Sequence, residues 1–207
     1  MRRRALPLAV LVLALAVAGC ATTRVLHEWR NPDLASPPHF KKFMVFGISQ
    51  QPGIRRSFED AFVLRLQSVG ADAVPSYRFI PQDGPAEEAR LREAVAQAGA
   101  DATLVTRLLR VEQKYQVSPY YYPPAPGFGF YRGYMGAWYG YYDPQVYPYD
   151  VYVSDTSLYD AAKNELIWSG TVETTPTGVS KDIARYVDAV IEALQKQNFL
   201  TTAPAPR

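Results

Sequence analysis

Residues able to do chemistry are few in this chain and poorly spaced for it. There is one cysteine, Cys20, and there are two histidines, His27 and His39. A single thiol forms neither a disulfide framework nor a cysteine-rich zinc site. Two histidines near the start read as exposed or half-buried imidazoles rather than as a metal pair. Glu59 with Asp60, and Asp155 with Asp160, offer carboxylates with no positioned partner for proton transfer. The glycines of Gly127-Phe128-Gly129-Phe130-Tyr131-Arg132-Gly133 are spaced one residue too far for a dinucleotide-binding turn, and aromatic residues surround them. No G-x-S-x-G, S-x-x-K or H-E-x-x-H pattern occurs. The expectation is therefore no catalytic residue, no metal and no cofactor.

What remains distinctive is the beginning of the chain. Three arginines follow Met1, and residues 5–18 are apolar throughout, broken only by Pro7. That run is short of the roughly 20 residues a spanning helix needs, so residues 1–19 read as a signal peptide. Removing it takes away three of the 22 basic residues and none of the 20 acidic ones, leaving the rest near neutral. Nucleic acid is excluded as a partner on that balance. The run ends in Val17-Ala18-Gly19-Cys20, which resembles the lipobox of bacterial lipoproteins. The resemblance implies cleavage between Gly19 and Cys20 and lipidation of the Cys20 thiol. That thiol is then no longer available as a thiolate. Two or three acyl chains anchor stably, at about 0.8 kcal/mol per buried methylene. Ala21 stands where inner-membrane retention would call for aspartate, so the resemblance implies a periplasm-facing outer-membrane anchor in a Gram-negative envelope.

Behind the anchor, the elements follow from hydrophobic spacing. Residues 20–39 read as a lipidated tether holding a short strand around Val25 to Trp29, with Asn31-Pro32-Asp33 as a turn. The unbroken apolar stretch from Phe43 to Ile48 reads as a strand buried on both faces. Phe58, Ala61, Phe62, Leu66 and Val69 mark a helix over 54–69, closed by Gly70. Within it Arg55–Glu59 and Arg56–Asp60 are i,i+4 pairs, read as a solvated face whose loss costs under about 0.5 kcal/mol. A strand over 73–79 follows, near an edge because of Pro75. Next come a helix over 85–98 closed by Gly99, a long strand over 102–116, a hairpin from 151–159 to 166–168, and a last helix. Ile183, Tyr186, Val187, Val190, Ile191 and Leu194 give that helix its stripe, with Ser180 or Thr177 as the expected cap.

This order predicts one α/β domain over 40–200, in the broad α+β sense: a mixed sheet packed by about three helices. The tail 201–207 reads as disordered. A Tyr/Gly/Pro-rich insertion at 118–148 lies between the long strand over 102–116 and the strand over 151–159. Thirteen of the fifteen tyrosines fall between Tyr115 and Tyr159, and Arg132 is the one formal charge within 118–142. Its aromatic rings suit stacking on sugars or contact with a protein, with Tyr131, Tyr134, Trp138 and Tyr139 as the candidate binding residues.

Four short motifs carry a wider resemblance: Trp29-x-x-Pro32, Val45-Phe46-Gly47, Arg56-x-x-Glu59 and Ile167-Trp168-x-Gly170. The chain resembles uncharacterised proteobacterial lipoproteins grouped by a domain of unknown function. It also resembles, more loosely, small α/β lipoproteins that assist envelope assembly and secretion. The resemblance implies a non-enzymatic envelope protein that binds or assembles, touching the membrane through its lipid. Peptidoglycan, polysaccharide or an envelope protein would be the contact of the aromatic insertion. An unrecognised enzyme, or a spacer whose insertion has no ligand, are the alternatives.

Overall fold

A computed structural model describes residues 23–81, 84–118 and 145–200. Six strands form one sheet: β1 (Thr23–Arg30), β2 (Lys42–Ile48), β3 (Asp72–Pro75), β4 (Ala102–Ser118), β5 (Gln145–Asp160) and β6 (Glu165–Thr174). Their spatial order is β1-β6-β5-β4-β2-β3. β2 runs parallel to β3 and β4, while β4, β5, β6 and β1 pair antiparallel in turn. The helices are α1 (Pro52–Ser68), α2 (Glu88–Ala98) and α3 (Val179–Lys196). The mixed sheet with three helices is the α/β arrangement that the spacing predicts.

Helical crossovers explain where the layers lie. Phe43 and Val45 pack with α1 and α3, whereas Met44 packs on the α2 side with Ile80, Ala94 and Ala98. β2 is thus covered on both faces, and Phe43, Met44 and Val45 are wholly buried. The α3 stripe is buried from Ile183 to Leu194. Both glycine stops hold. Gly70 and Gly99 have φ of +87° and +63°, and Ala71 and Ala100 donate back to Leu66 and Val95.

Four expectations change. β1 pairs with β6 along its whole length, so the sheet begins at Thr23 and leaves only two residues between it and Cys20 in place of a tether reaching 39. Buried Asn31 holds the next turn, donating to Glu165 at 2.6 Å and accepting from the Asp33 amide at 2.9 Å. The strand over 73–79 stops at Pro75, because Ser76 and the Tyr77 amide turn aside to bind Glu59. Arg55 and Glu59 are not on a solvated face: they are 7% and 0% exposed. The first pair forms but is buried, whereas the second does not form, since Asp60 accepts the Tyr77 hydroxyl at 2.7 Å and Arg56 lies over the Tyr77 ring. Finally, α3 is capped by neither Ser180 nor Thr177. The Asp182 carboxylate reaches back to the amides of Thr177 and Gly178 at 2.9 and 3.1 Å.

Gly170 shows how tightly this sheet is covered. A Cβ there would lie 2.4 Å from the Cη2 atom of Trp168, whose indole is wholly buried. Gly170→Ala should therefore destabilise by about 1–3 kcal/mol through overpacking, read as a lowered melting temperature.

Candidate functional site

One end of the sheet gathers the carboxyl end of β2, the amino ends of α1 and α3, and the long β4–β5 arm. In an open sheet with parallel crossovers, ligands collect outside the carboxyl ends of the parallel strands. A cavity of about 440 Å³ lies there. Its floor is sheet: Thr106 and Leu108 from β4, Tyr152 and Ser154 from β5, and Thr174 from β6. Ile54 and Phe58 of α1 and Ile183 and Tyr186 of α3 roof it, and Ile48, Val111 and Val179 stand at its edge.

Strand register builds the floor. Gly47, Thr106, Thr156 and Gly170 are successive partners across β2, β4, β5 and β6. A Cβ on Gly47 would meet the Arg55 carbonyl oxygen at 3.1 Å, so glycine lets the first turns of α1 lie directly against β2. Next in the row, the buried hydroxyls of Thr106 and Thr156 meet the Tyr186 hydroxyl at 2.9 and 2.5 Å. Thr156 also donates to Thr106 at 3.2 Å. Phe58 and Phe62 pack edge-on against the Tyr186 ring at 5.8 and 6.0 Å. Burial pushes the Tyr186 phenol up to about 12, outweighing the opposing hydrogen bonds from Thr106 and Thr156. Tyr186 therefore keeps its proton at neutral pH and serves as a fixed hydroxyl rather than as a base.

Two charged side chains of the walls, Arg55 and Asp182, are engaged elsewhere, while Arg107 is exposed. Arg55 donates to Glu59, Ser76 and the Ile80 carbonyl, each at 3.0 Å. Glu59 also accepts from the Gly47 amide at 3.0 Å, tying the α1 network to the floor. Burial alone would raise the Asp182 carboxyl. The Thr177 and Gly178 amides, the Thr177 hydroxyl and Arg185 together hold it below its ordinary value of 3.8. With its pKa depressed in the fold, Asp182 stabilises fully above that ordinary value. The contribution is lost as pH falls through the lower folded value. Asp182→Asn should flatten the acid side of the stability profile, measured by thermal melts from about pH 6 to about pH 2. What the arrangement can do chemically is hold an apolar group over a floor of satisfied hydroxyls.

The residues singled out from sequence are not brought together here. Gly19, Cys20, Tyr131, Tyr134, Trp138 and Tyr139 lie outside the described residues, as do most of the 118–148 insertion and the 201–207 tail. His27 is exposed on β1 and His39 is exposed ahead of β2. Among the described residues no group of three or more histidines, cysteines, aspartates or glutamates could hold a metal. Asp160 closes the turn before β6, accepting from the Ala162 and Lys163 amides at 2.9 and 3.0 Å. Asp155 accepts from the Thr171 hydroxyl at 3.4 Å. Sequence reasoning missed Thr106, Thr156 and Asp182. Its one available signal was Tyr186, a lone aromatic in an aliphatic helical stripe.

A family profile described as a domain of unknown function (DUF4136) matches residues 67–197. The Ile167-Trp168-x-Gly170 motif falls inside that stretch, and the other three motifs precede it. No curated protein matches the chain. Among solved structures, the PelC dodecamer from Paraburkholderia phytofirmans is 16% identical. That match covers 82% of this chain and 97% of that one, with a TM-score of 0.42. Lipoprotein GNA1162 from Neisseria meningitidis is 14% identical, covering 77% and 99%, with a TM-score of 0.41.

Proposed function

We propose, from the premise that the chain belongs to the DUF4136 family, that it is an envelope lipoprotein whose work is binding. In this reading Cys20 carries the lipid on the periplasmic side of the outer membrane, and the cavity receives an apolar group. The cavity itself carries the reading. Its size is that of small-ligand sites, its roof of Ile54, Phe58 and Ile183 is apolar, and the hydroxyls of Thr106, Thr156 and Tyr186 are hydrogen-bonded to one another. Such a site gains affinity from desolvation rather than from charge.

Two measurements test the two halves. Cys20→Ser should abolish incorporation of a labelled fatty acid, and equal labelling would remove the anchor. For the cavity, 1-anilinonaphthalene-8-sulfonate should bind saturably with enhanced fluorescence. Ser154→Phe, which fills the floor, and Ile54→Ser, which makes the roof polar, should each weaken that binding by about tenfold or more, equivalent to about 1.4 kcal/mol. Unchanged binding in folded forms of both variants would overturn the site.

The tyrosine-rich insertion is proposed as a second contact, because Ser118 and Gln145, between which it runs, pair at the tip of the β4–β5 arm on the cavity side. Replacing Tyr131, Tyr134, Trp138 and Tyr139 by serine should then release the protein from peptidoglycan or polysaccharide, or from an envelope-protein partner, without lowering its melting temperature. Retention unchanged in a pull-down on each material would leave the insertion a spacer.

A further inference from the structure

We infer that the cavity end of the sheet is the face this protein lays on a lipid bilayer, with Leu108, Val111 and Val179 reaching the headgroup boundary. This rests on the reading of Cys20 as the lipid-bearing residue and adds the orientation that the anchor imposes. Thr23, Thr174, Tyr152 and Val111 are successive partners across β1, β6, β5 and β4. The domain therefore receives its N-terminal segment at the row that also edges the cavity. Two residues separate Cys20 from Thr23, and the three Cα–Cα steps between them span at most about 11 Å when fully extended. A connection so short cannot carry the domain clear of the surface in which its acyl chains sit.

The side chains at that end fit the position. Eleven large hydrophobic residues are exposed among those described, and all but Trp29 and Leu64 lie at this end. Ile48, Leu108, Val111 and Val179 are 60%, 54%, 52% and 60% exposed, and Tyr115 and Tyr149 continue the surface along the arm. Aliphatic side chains beside tyrosines are the composition of a membrane–water boundary. Most charges on the arm are paired internally, Arg110 with Glu112, and Lys114 and Arg24 with Glu173, while the exposed Arg107 and Asp150 are of opposite sign. Apolar insertion, rather than attraction to anionic headgroups, thus drives the contact. The opposite end is polar, with Lys163 and Asn164 exposed in the turn before β6. A cavity opening on the bilayer side would also receive its apolar group directly from lipid.

The test places a polarity-sensitive fluorophore on the lipidated full chain in phosphatidylethanolamine–phosphatidylglycerol vesicles. Val111→Cys and Val179→Cys mark the proposed face and Lys163→Cys the opposite end, while acylation blocks the Cys20 sulfur. Quenching by a spin label carried on the lipid should be several-fold stronger at 111 and 179 than at 163. Equal quenching at all three positions, or an apolar environment at 111 and 179 before vesicles are added, would overturn the inference. The mass of the same preparation separates the two readings. An acylated chain with equal quenching removes the orientation alone, whereas an unacylated chain removes the anchor and the orientation with it.

Discussion

Glu59→Ala should be among the most damaging single substitutions in this domain, lowering stability by about 3–5 kcal/mol. Near this chain length, each kcal/mol shifts the melting temperature by roughly 2–4 °C, so the drop should be about 10 °C. The carboxylate is wholly buried and accepts from four groups: the Gly47 amide, Arg55 Nε and the Ser76 hydroxyl on Oε1, and the Tyr77 amide on Oε2. Removing it strands a guanidinium that is itself only 7% exposed. Arg55→Ala should cost a similar amount, for the mirror reason. Replacing both at once, with Arg55→Met and Glu59→Leu, should cost clearly less than the two single changes added together. Thermal melts of the four proteins decide the matter. An Arg55→Ala loss below about 0.5 kcal/mol, the value suited to a solvated i,i+4 pair, would contradict the buried network.

The second large effect is expected at Val190. Its side chain is wholly buried in the cluster formed by α1, α3 and the sheet, among neighbours such as Phe62 and Leu194. Val190→Asp must either bury an unpaired carboxylate or protonate it at neutral pH, and each route costs several kcal/mol. Urea unfolding should show the midpoint lowered with the slope unchanged, the sign of lost stability in an otherwise intact fold. A Val190→Asp protein that melts with the parent would mean that α3 turns another face to the sheet.

Helix α1 shows how far sequence reading carries and where it stops. Its apolar positions at helical spacing, Phe62, Leu66 and Val69, are buried as that spacing predicts. The same spacing set Arg55 and Glu59 one turn apart and labelled them a surface pair. Nothing local distinguishes a solvated i,i+4 pair from a buried one. The difference comes from Ser76, Tyr77 and Ile80, which fold back over α1 to supply the remaining hydrogen bonds. The N-terminal strand teaches the same lesson. Alternation around Val25 suggested a strand, but only pairing with β6, far along the chain, makes it part of the domain rather than a tether.

What the sequence determined by itself was therefore local. It defined the glycine stops after α1 and α2, the doubly buried β2 and the amphipathic stripe of α3. Each of these is written in a few neighbouring residues, through backbone freedom or hydrophobic period. The cavity is not written that way. Thr106, Thr156 and Tyr186 are ordinary residues in three separate elements, and their hydroxyls meet only because β4 and β5 pair in one register and α3 crosses above them. A slip of one residue in that register would put the two threonines on opposite faces and abolish the floor. Long-range pairing also brings the Thr23 edge, the cavity and the exposed apolar arm to one end of the sheet. That convergence depends on strand order and direction, which the tertiary structure alone decides.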